Sequence, residues 1–528
     1  MAPHGMHAVR KVRWRLAKVS WLRQEGAGSD AADAARSRLR DAGDARPMRS
    51  RAARALGRAI RSLPLQCALL AGAFWLYHLW LQDYLERTGL VLGALRPRHL
   101  APLLAILDPH VSLWLVPGVL VVAAFVVFGL RWYLDPRAPA PLLIALSVAA
   151  FFVIGLSVAM IDGYRPVPEG WLAPAPLVTY ARDSEFYHDV TRVRQFGVPE
   201  FLAQFSERAF FKTLALHTRT HPAGPVVFLW YARRFFHHGL LGATLTTVAF
   251  SAFAVWPLYS IGRSLYGSAT ARMALALFLI MPNVVTVSTT SMDGPCATVT
   301  ILALALFLKA TRAPLMWAAA FGLALALASF MTYASVFVPL FALIYSLAAV
   351  REDRKRWPQL LSVLAIAAIT LLVAYGLLYA RTGYDPIEAA RAAIRSDHKQ
   401  MGSRTESLRL WLNLGVAHLM AFFIAVGVPL TVLWARRALQ AVRAAWRGRQ
   451  ADLFTLAFVV SIVSLAFSTL FTMEVERIWL FMAPCVVVPA AHVLQQIAER
   501  DRRSAFYWTA ALLGVQTLVF QTALRTLW

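Results

Sequence analysis

Apolar runs of roughly 18 to 25 residues recur along the chain, separated by short polar or basic breaks, and each is long enough to cross a bilayer as a helix. Thirteen such segments are read, at about 63–85, 110–134, 140–163, 240–262, 270–290, 294–311, 314–331, 333–350, 358–380, 411–435, 452–472, 477–497 and 505–527. Within 294–350 the breaks are shortest. The pattern predicts an all-α polytopic membrane protein. Two intervals stand out as too polar to span, 164–239 and 381–410. The first alternates apolar and polar stretches, which predicts two short amphipathic helices lying at the membrane boundary.

Composition supports the pattern and excludes other classes. The 528 residues are 59% hydrophobic and only 15% charged, too apolar for a soluble protein of this size. The net charge of +25 is no nucleic-acid signal, because the basic residues sit between apolar runs as in Lys/Arg-rich cytoplasmic loops. Residues 1–62 hold 15 Lys/Arg and 5 Asp/Glu and read as a basic cytoplasmic tail facing anionic lipid. The acids at Asp30, Asp33, Asp41 and Asp44 argue against a mitochondrial transit peptide, and Met48 is an alternative start. Cys67, Cys296 and Cys485 lie in or beside apolar runs without metal-ligand spacing and read as packing residues.

With the tail inside, the basic stretches 351–357, 435–450 and 499–504 fall in inner loops, as the positive-inside rule requires. The segments 164–239 and 381–410 then lie outside. The second breaks the charge rule, with Arg381, Arg391, Arg395, Lys399, Arg404 and Arg409. It reads either as a solvated amphipathic helix or as a surface for an anionic partner.

Candidate chemistry gathers on that outer side. Asp183, Glu185 and Asp189 place three carboxylates within seven residues of a chain that has only 28 Asp plus Glu. Helix capping by Asp183 explains one of them and not three. Asp189 is spaced to pair with Arg192 one turn on. At His217-Thr218-Arg219-Thr220-His221 followed by Pro222, Gly224 and Pro225, a tight turn precedes an amphipathic stretch. A hydrogen-bonding role suits His221 better than metal ligation, because the prolines break the helix that would align the two histidines. Asp293, before Gly294 and Pro295, reads as a helix N-terminus or as a functional acid at the membrane rim. Glu474, Glu476 and Arg477 open a late span, as anchoring charges or, for Arg477, as a phosphate ligand at headgroup depth.

Taken in order, these features resemble the GT-C glycosyltransferases that use polyprenyl-phosphate sugars, among them bacterial aminoarabinose transferases and protein mannosyltransferases of the glycosyltransferase family 39 type. The resemblance covers roughly 164 to 500. It rests on Asp183-Ser184-Glu185 as a D-x-E motif, on His221-Pro222-Ala223-Gly224 as a turn similar to the family's HPPG or KPP element, and on Pro282 and Asp293 after it. Two departures stand beside it: three spans precede the acidic loop, which usually follows the first, and Ala223 replaces the second proline.

The resemblance implies a GT-C-like bundle of about 13 helices over 63–528, with an outer catalytic loop at 164–239 and an outer basic loop at 381–410. It implies inverting transfer from a polyprenyl-phosphate sugar to a hydroxyl of a lipid, glycan or protein, on the extracytoplasmic face of a bacterial cytoplasmic membrane. Asp183 is then the preferred general base, with Glu185 next. Asp189, His221 and Asp293 support the acceptor or the loop, and Arg477, Arg404 and Lys399 hold the donor phosphate. No metal site is assigned, and a divalent cation is left open. The rival reading is a transporter or flippase, which would place charge in mid-span along a central path; most of the spans carry none there, which favours an enzyme at the rim. A third reading, a non-catalytic scaffold, requires Asp183 to be replaceable.

Overall fold

In a computed structural model, the residues described are 62–88, 99–109, 111–166, 172–174, 185–235, 239–401, 407–468, 470–471, 474–500 and 504–526. By contacts the chain divides after Leu65. Of the first unit, 1–65, only the opening of one helix falls among the described residues. The described residues of the second unit, Gln66–Trp528, are mainly helical, with two short antiparallel pairs, Ala105–Leu107 with Leu524–Thr526 and Tyr164–Pro166 with Leu172–Pro174.

Among the described residues nine helices are long and apolar enough to cross a membrane, or ten if the bent pair Ser268–Phe278 and Pro282–Ser288 is one span. The expected thirteen is therefore an approximate count, and local chemistry explains the difference. Pro282, which cannot donate to a preceding turn, marks a bend of 56° within the expected 270–290 span. The expected 411–435 span is two helices, Leu408–Val426 and Val428–Trp446. Between them Gly427 has φ 113° and lies against Leu513, where a Cβ would come within 2.3 Å, so a side chain there is excluded twice over. The expected 314–331 and 452–472 spans shorten to Met316–Met331 and Leu453–Ala466, and the expected 505–527 span is the helix Ser504–Ala523, which carries Gln516 and Gln521 and is not among the nine.

Burial separates central from peripheral helices. Val475–Glu499 and Asp293–Ala310 have 83% and 72% of their apolar windows buried, against 6% for Leu63–Thr88 and 17% for Arg354–Thr382. The two central helices pack together, Asp293–Ala310 meeting the turn Trp479–Met482. Of the two peripheral helices, Leu63–Thr88 is tied in at its far end. Leu81, Tyr84 and Leu85 pack with Ala101, Leu104, Leu410, Leu414 and Ala417, and the Arg409 guanidinium lies 4.8 Å over the Tyr84 ring.

Among its described residues the polar interval before Leu240 is not two helices but five short ones: Val190–Phe196, Val198–Gln204, Arg208–Phe211, Leu216–Thr220 and Gly224–Ala232. Gly197 (φ 81°) and Pro199 end the first and start the second. Phe186, Val190, Val193, Phe201, Phe205, Phe211, Leu214, Val226 and Leu229 form a buried core with Met292, Cys296, Ala328, Met331, Tyr384 and Ala389. The segment thus folds onto the bundle as a packed cap, where the alternating pattern had suggested helices resting on a membrane surface. The helix expected within 381–410 is Pro386–Met401. Its Glu388 pairs with Arg391 at 2.5 Å and Arg395 at 4.0 Å, all solvent-exposed, so part of that basic surface is compensated within the helix.

Candidate active site

Both central helices begin at one site. Asp293 is the first helical residue of Asp293–Ala310; Met292 holds the cap position and the Asp293 side chain caps nothing. Instead its Oδ2 lies 3.2 Å from Nη1 of Arg477 and accepts a hydrogen bond from Ser291 Oγ at 2.8 Å. A carboxylate in the first turn also meets the positive end of the helix dipole. Arg477 sits in the turn Val475–Ile478, only 3% exposed. It donates through Nη2 to Glu474 Oε2 at 2.5 Å. Glu474 is the one non-glycine residue with positive φ among the described residues, at 62°, a conformation that costs a β-carbon about 1 kcal/mol or more.

The next residue but one points elsewhere. Glu476 Oε1 accepts from the Leu104 amide at 2.8 Å, while its Oε2 is buried with no hydrogen-bond partner. The alternation Glu474, Glu476, Arg477 therefore splits between the charge cluster and the 99–107 segment, which links the early helices to the site.

Of the acidic segment, Glu185 lies within electrostatic reach of Asp293 and Arg477. Glu185 is 5% exposed, and its Oε2 is 3.1 Å from His217 Nδ1. That approach is off the line of a well-directed hydrogen bond, since His217 Nδ1 has no aligned partner; it is a close contact that becomes an ion pair when His217 is protonated. Burial works to raise the Glu185 carboxyl, but the His217 ring beside it and the Arg477 charge outweigh this and hold it below the usual range. His221 Nδ1 lies 3.0 Å from the His217 carbonyl. A carbonyl can only accept, so the proton is on Nδ1 and Nε2 is left as the acceptor. Burial lowers His221 to about 4; the Asp293 carboxylate opposes this, while His217 and Arg477 add to it. The ring of Phe186 separates the histidines, 5.9 Å from His217 and edge-on to His221 at 5.2 Å.

The turn that carries His221 is fixed from below. A Cβ on Gly224 would lie 2.1 Å from the Phe330 carbonyl oxygen, so only glycine lets Pro222–Pro225 approach helix Met316–Met331 this closely. Buried Tyr384, whose ring packs on Phe330 at 5.6 Å, bonds to the Ala223 backbone.

The structure thus brings together Glu185, His221, Asp293 and Arg477 of the residues chosen from sequence. Asp189 stands apart: fully buried, it accepts from the Ala215 amide at 2.8 Å and from Arg192 Nε at 3.2 Å, which ties two of the short helices. Asp183 and Arg404 lie outside the described residues; Lys399 belongs to the helix Pro386–Met401. Among the described residues no three His, Cys, Asp or Glu side chains are grouped to hold a metal ion. Sequence reasoning did not find His217 as the Glu185 partner, Ser291 as the donor to Asp293, or the division of labour between Glu474 and Glu476. The D-G-P and E-V-E-R strings signal helix starts but do not say that two starts meet.

Residues 220–375 match the model of the dolichyl-phosphate-mannose-protein mannosyltransferase family. That stretch contains His221, the turn after it and Asp293, but neither Glu185 nor Arg477. Comparison with curated proteins by sequence gives no match. Among solved structures the chain is similar to the oligosaccharyltransferase of Archaeoglobus fulgidus in complex with Zn and sulfate. Identity is 12%, over 72% of this chain and 53% of that one, with a TM-score of 0.45. It is also similar to ArnT from Cupriavidus metallidurans in the apo state, at 16% identity over 68% of this chain and 60% of that one, TM-score 0.42. The chain spans between half and two thirds of the length of these structures.

Proposed function

We propose that this chain, whose residues 220–375 match the dolichyl-phosphate-mannose-protein mannosyltransferase model, is a membrane glycosyltransferase of the GT-C class that transfers a sugar from a polyprenyl-phosphate donor to an acceptor hydroxyl. The observation that carries the reading is the junction of two central helix starts through Asp293 and Arg477, whose charges act on Glu185 where it meets His217. Such a junction offers fixed acids, a guanidinium and a histidine acceptor nitrogen at one point. The active site faces the extracytoplasmic side of a bacterial cytoplasmic membrane, with the N-terminus inside.

The transfer is inverting. The acceptor oxygen attacks the anomeric carbon as its proton passes to the Asp183 carboxylate. The bond from that carbon to the phosphate oxygen breaks, and the lipid phosphate leaves with the electron pair. A positioned carboxylate base contributes about 10²–10⁴-fold. Glu185, held ionised against His217, positions the acceptor. Asp293 and His221 shape the floor of the site. Arg477 stabilises the phosphate charge, sharing its guanidinium with Asp293 and Glu474, and Lys399 and Arg404 add positive charge from the 381–410 segment.

The test is single-turnover transfer from a polyprenyl-phosphate sugar by purified full-length protein. Asp183→Asn keeps size and hydrogen bonding but removes basicity, so turnover should fall ~10²-fold or more with donor affinity unchanged. Full activity in that variant removes Asp183 as the base. Failure of the parent with every polyprenyl-phosphate sugar tried, alongside saturable binding of another substrate class, removes the reaction itself.

A further inference from the structure

Helix Gly224–Ala232 ends in Trp230-Tyr231-Ala232 and is followed by Arg233-Arg234-Phe235. Both arginines fold back onto one ring: their Cζ atoms lie 4.2 Å and 4.3 Å from the centre of Trp230. Two like charges over a single indole repel each other unless something anionic sits with them. A third arginine is close. Helix Val190–Phe196, which carries Arg194, packs on Gly224–Ala232; burial lowers the Arg233 guanidinium, Tyr187 opposes this, and the charges of Arg234 and Arg194 add to the lowering.

Nothing among the described residues neutralises the three. None of them takes part in an ion pair with a described carboxylate, and Arg233 Nε is buried without a hydrogen-bond partner. The contrast is Arg192 on the same short helix, which is engaged by Asp189 and by the Thr213 carbonyl at 2.8 Å. Beside the arginines, Tyr231 and Phe235 are exposed at 50% and 70%. The candidate span Leu240–Tyr266 starts five residues after Phe235. Guanidiniums, an indole and exposed aromatic rings at the mouth of a span are the residue types of headgroup depth.

We propose that Arg194, Arg233 and Arg234, seated on Trp230, form a docking site for the phosphate of an anionic membrane-lipid headgroup. The site is separate from Arg477, being at the opposite end of the helix that follows the His221 turn. Paired guanidiniums suit the several oxygens of a phosphate. The exposed Tyr231 and Phe235 rings favour a ligand that brings its own acyl chains over a free anion. The inference rests on no assumption about the reaction.

The experiment reads lipid at this spot alone. Leu241, 40% exposed at the start of the span, is replaced by cysteine and labelled with bimane, in full-length protein whose Cys67, Cys296 and Cys485 are serine. The protein is reconstituted in phosphatidylcholine vesicles doped with dibrominated phosphatidylglycerol or dibrominated phosphatidylcholine. Quenching by the anionic lipid should exceed that by the zwitterionic one, by about fivefold for each arginine engaged. Arg233→Gln/Arg234→Gln should bring the ratio near one. Arg194→Gln, a single change on an exposed side chain, should lower it part-way and serves if the double variant does not fold. Equal quenching by the two lipids in the parent overturns the proposal, as does a ratio that survives the glutamines. Loss of the preference in millimolar inorganic phosphate makes the site one for soluble anions and overturns its assignment to lipid.

Discussion

Helix Leu453–Ala466 has a cluster of buried charge before it and another after it, and the two are built on opposite rules. Before it, Asp452 accepts from Arg437 Nε at 2.8 Å, from Thr455 Oγ1 at 2.8 Å, from the Thr455 amide at 3.2 Å and from the Tyr266 hydroxyl. One acid meets one base, the helix is capped, and the Tyr266 ring stacks on His492 at 4.4 Å. After it, Arg477 is shared by Asp293 and Glu474, Glu185 touches an imidazole and meets no guanidinium among the described residues within ion-pair distance, and Glu474 is held in a left-handed conformation. Acids there outnumber fixed bases. An acid met on every side, as Asp452 is, rigidifies the fold around it. An unbalanced and strained cluster persists only where the surroundings over-determine it, which is the usual condition of a functional site.

The largest test of the comparison is all-or-none. If the two clusters belong to opposite membrane faces, Ser206→Cys and Gln450→Cys, each in a background without native cysteines, differ completely toward an impermeant maleimide. In intact spheroplasts Ser206→Cys labels and Gln450→Cys does not; after lysis both do. The reverse pattern inverts the proposed orientation and moves the chemistry to the cytoplasm.

Arg477 comes next. Removing one partner from a buried ion pair costs about 3–5 kcal/mol, so Arg477→Ala should lower thermal stability as well as activity. Arg477→Lys separates the two effects: the charge stays and the fork that spans Asp293 and Glu474 is lost. Donor affinity should then drop by roughly 10-fold or more, since a charge-assisted bond is worth ~1.5–3 kcal/mol, with a much smaller change in melting temperature. Unchanged donor binding in both variants leaves Arg477 as a structural tie like Arg437, and the contrast between the clusters collapses. The mirror experiment is Asp452→Asn. It should destabilise by ~1–3 kcal/mol while turnover per folded molecule is kept. A variant that melts like the parent but does not turn over places chemistry at the wrong end of the helix.

How much of this was legible in the sequence depends on whether a feature is local. Apolar run length gave the spans, and proline and glycine gave most breaks, yet the weak point at Gly427 was read through because the residues around it are uniformly apolar. The basic side of the site was legible as a string, E-V-E-R. Its meaning was not, because Asp293 and Arg477 meet only through the packing of two central helices. Asp293 looked like a cap by every local rule, but Met292 takes that place and the carboxylate turns to Arg477. The polar interval read as surface helices because alternation alone does not distinguish a membrane surface from a packed protein surface. The aromatic residues Phe201, Phe205 and Phe211 were the available sign of a core.

The smallest expected effect is a pH dependence, and it is specific to the unbalanced cluster. His221 is kept neutral in the folded protein, lowered to about 4 chiefly by burial, whereas an unfolded chain protonates it near 6.5. Between those values the unfolded state binds more protons, so stability rises with pH there and is lost as pH falls from about 6.5 toward 4. Glu185 acts in the same direction lower down: its carboxyl is held below the usual range, so its contribution is present above the ordinary Glu value and lost as pH drops through the folded one. Asp293, His217 and Arg477 face His221, and their charges set the size of the effect. Melting of the purified protein, followed from pH 7 to pH 5, should therefore show a fall that His221→Gln flattens, because glutamine keeps a side-chain donor and does not titrate. Asp452→Asn should leave the slope as in the parent. A slope unaltered by His221→Gln assigns the pH dependence to other groups and removes the evidence that this histidine is held neutral at the site.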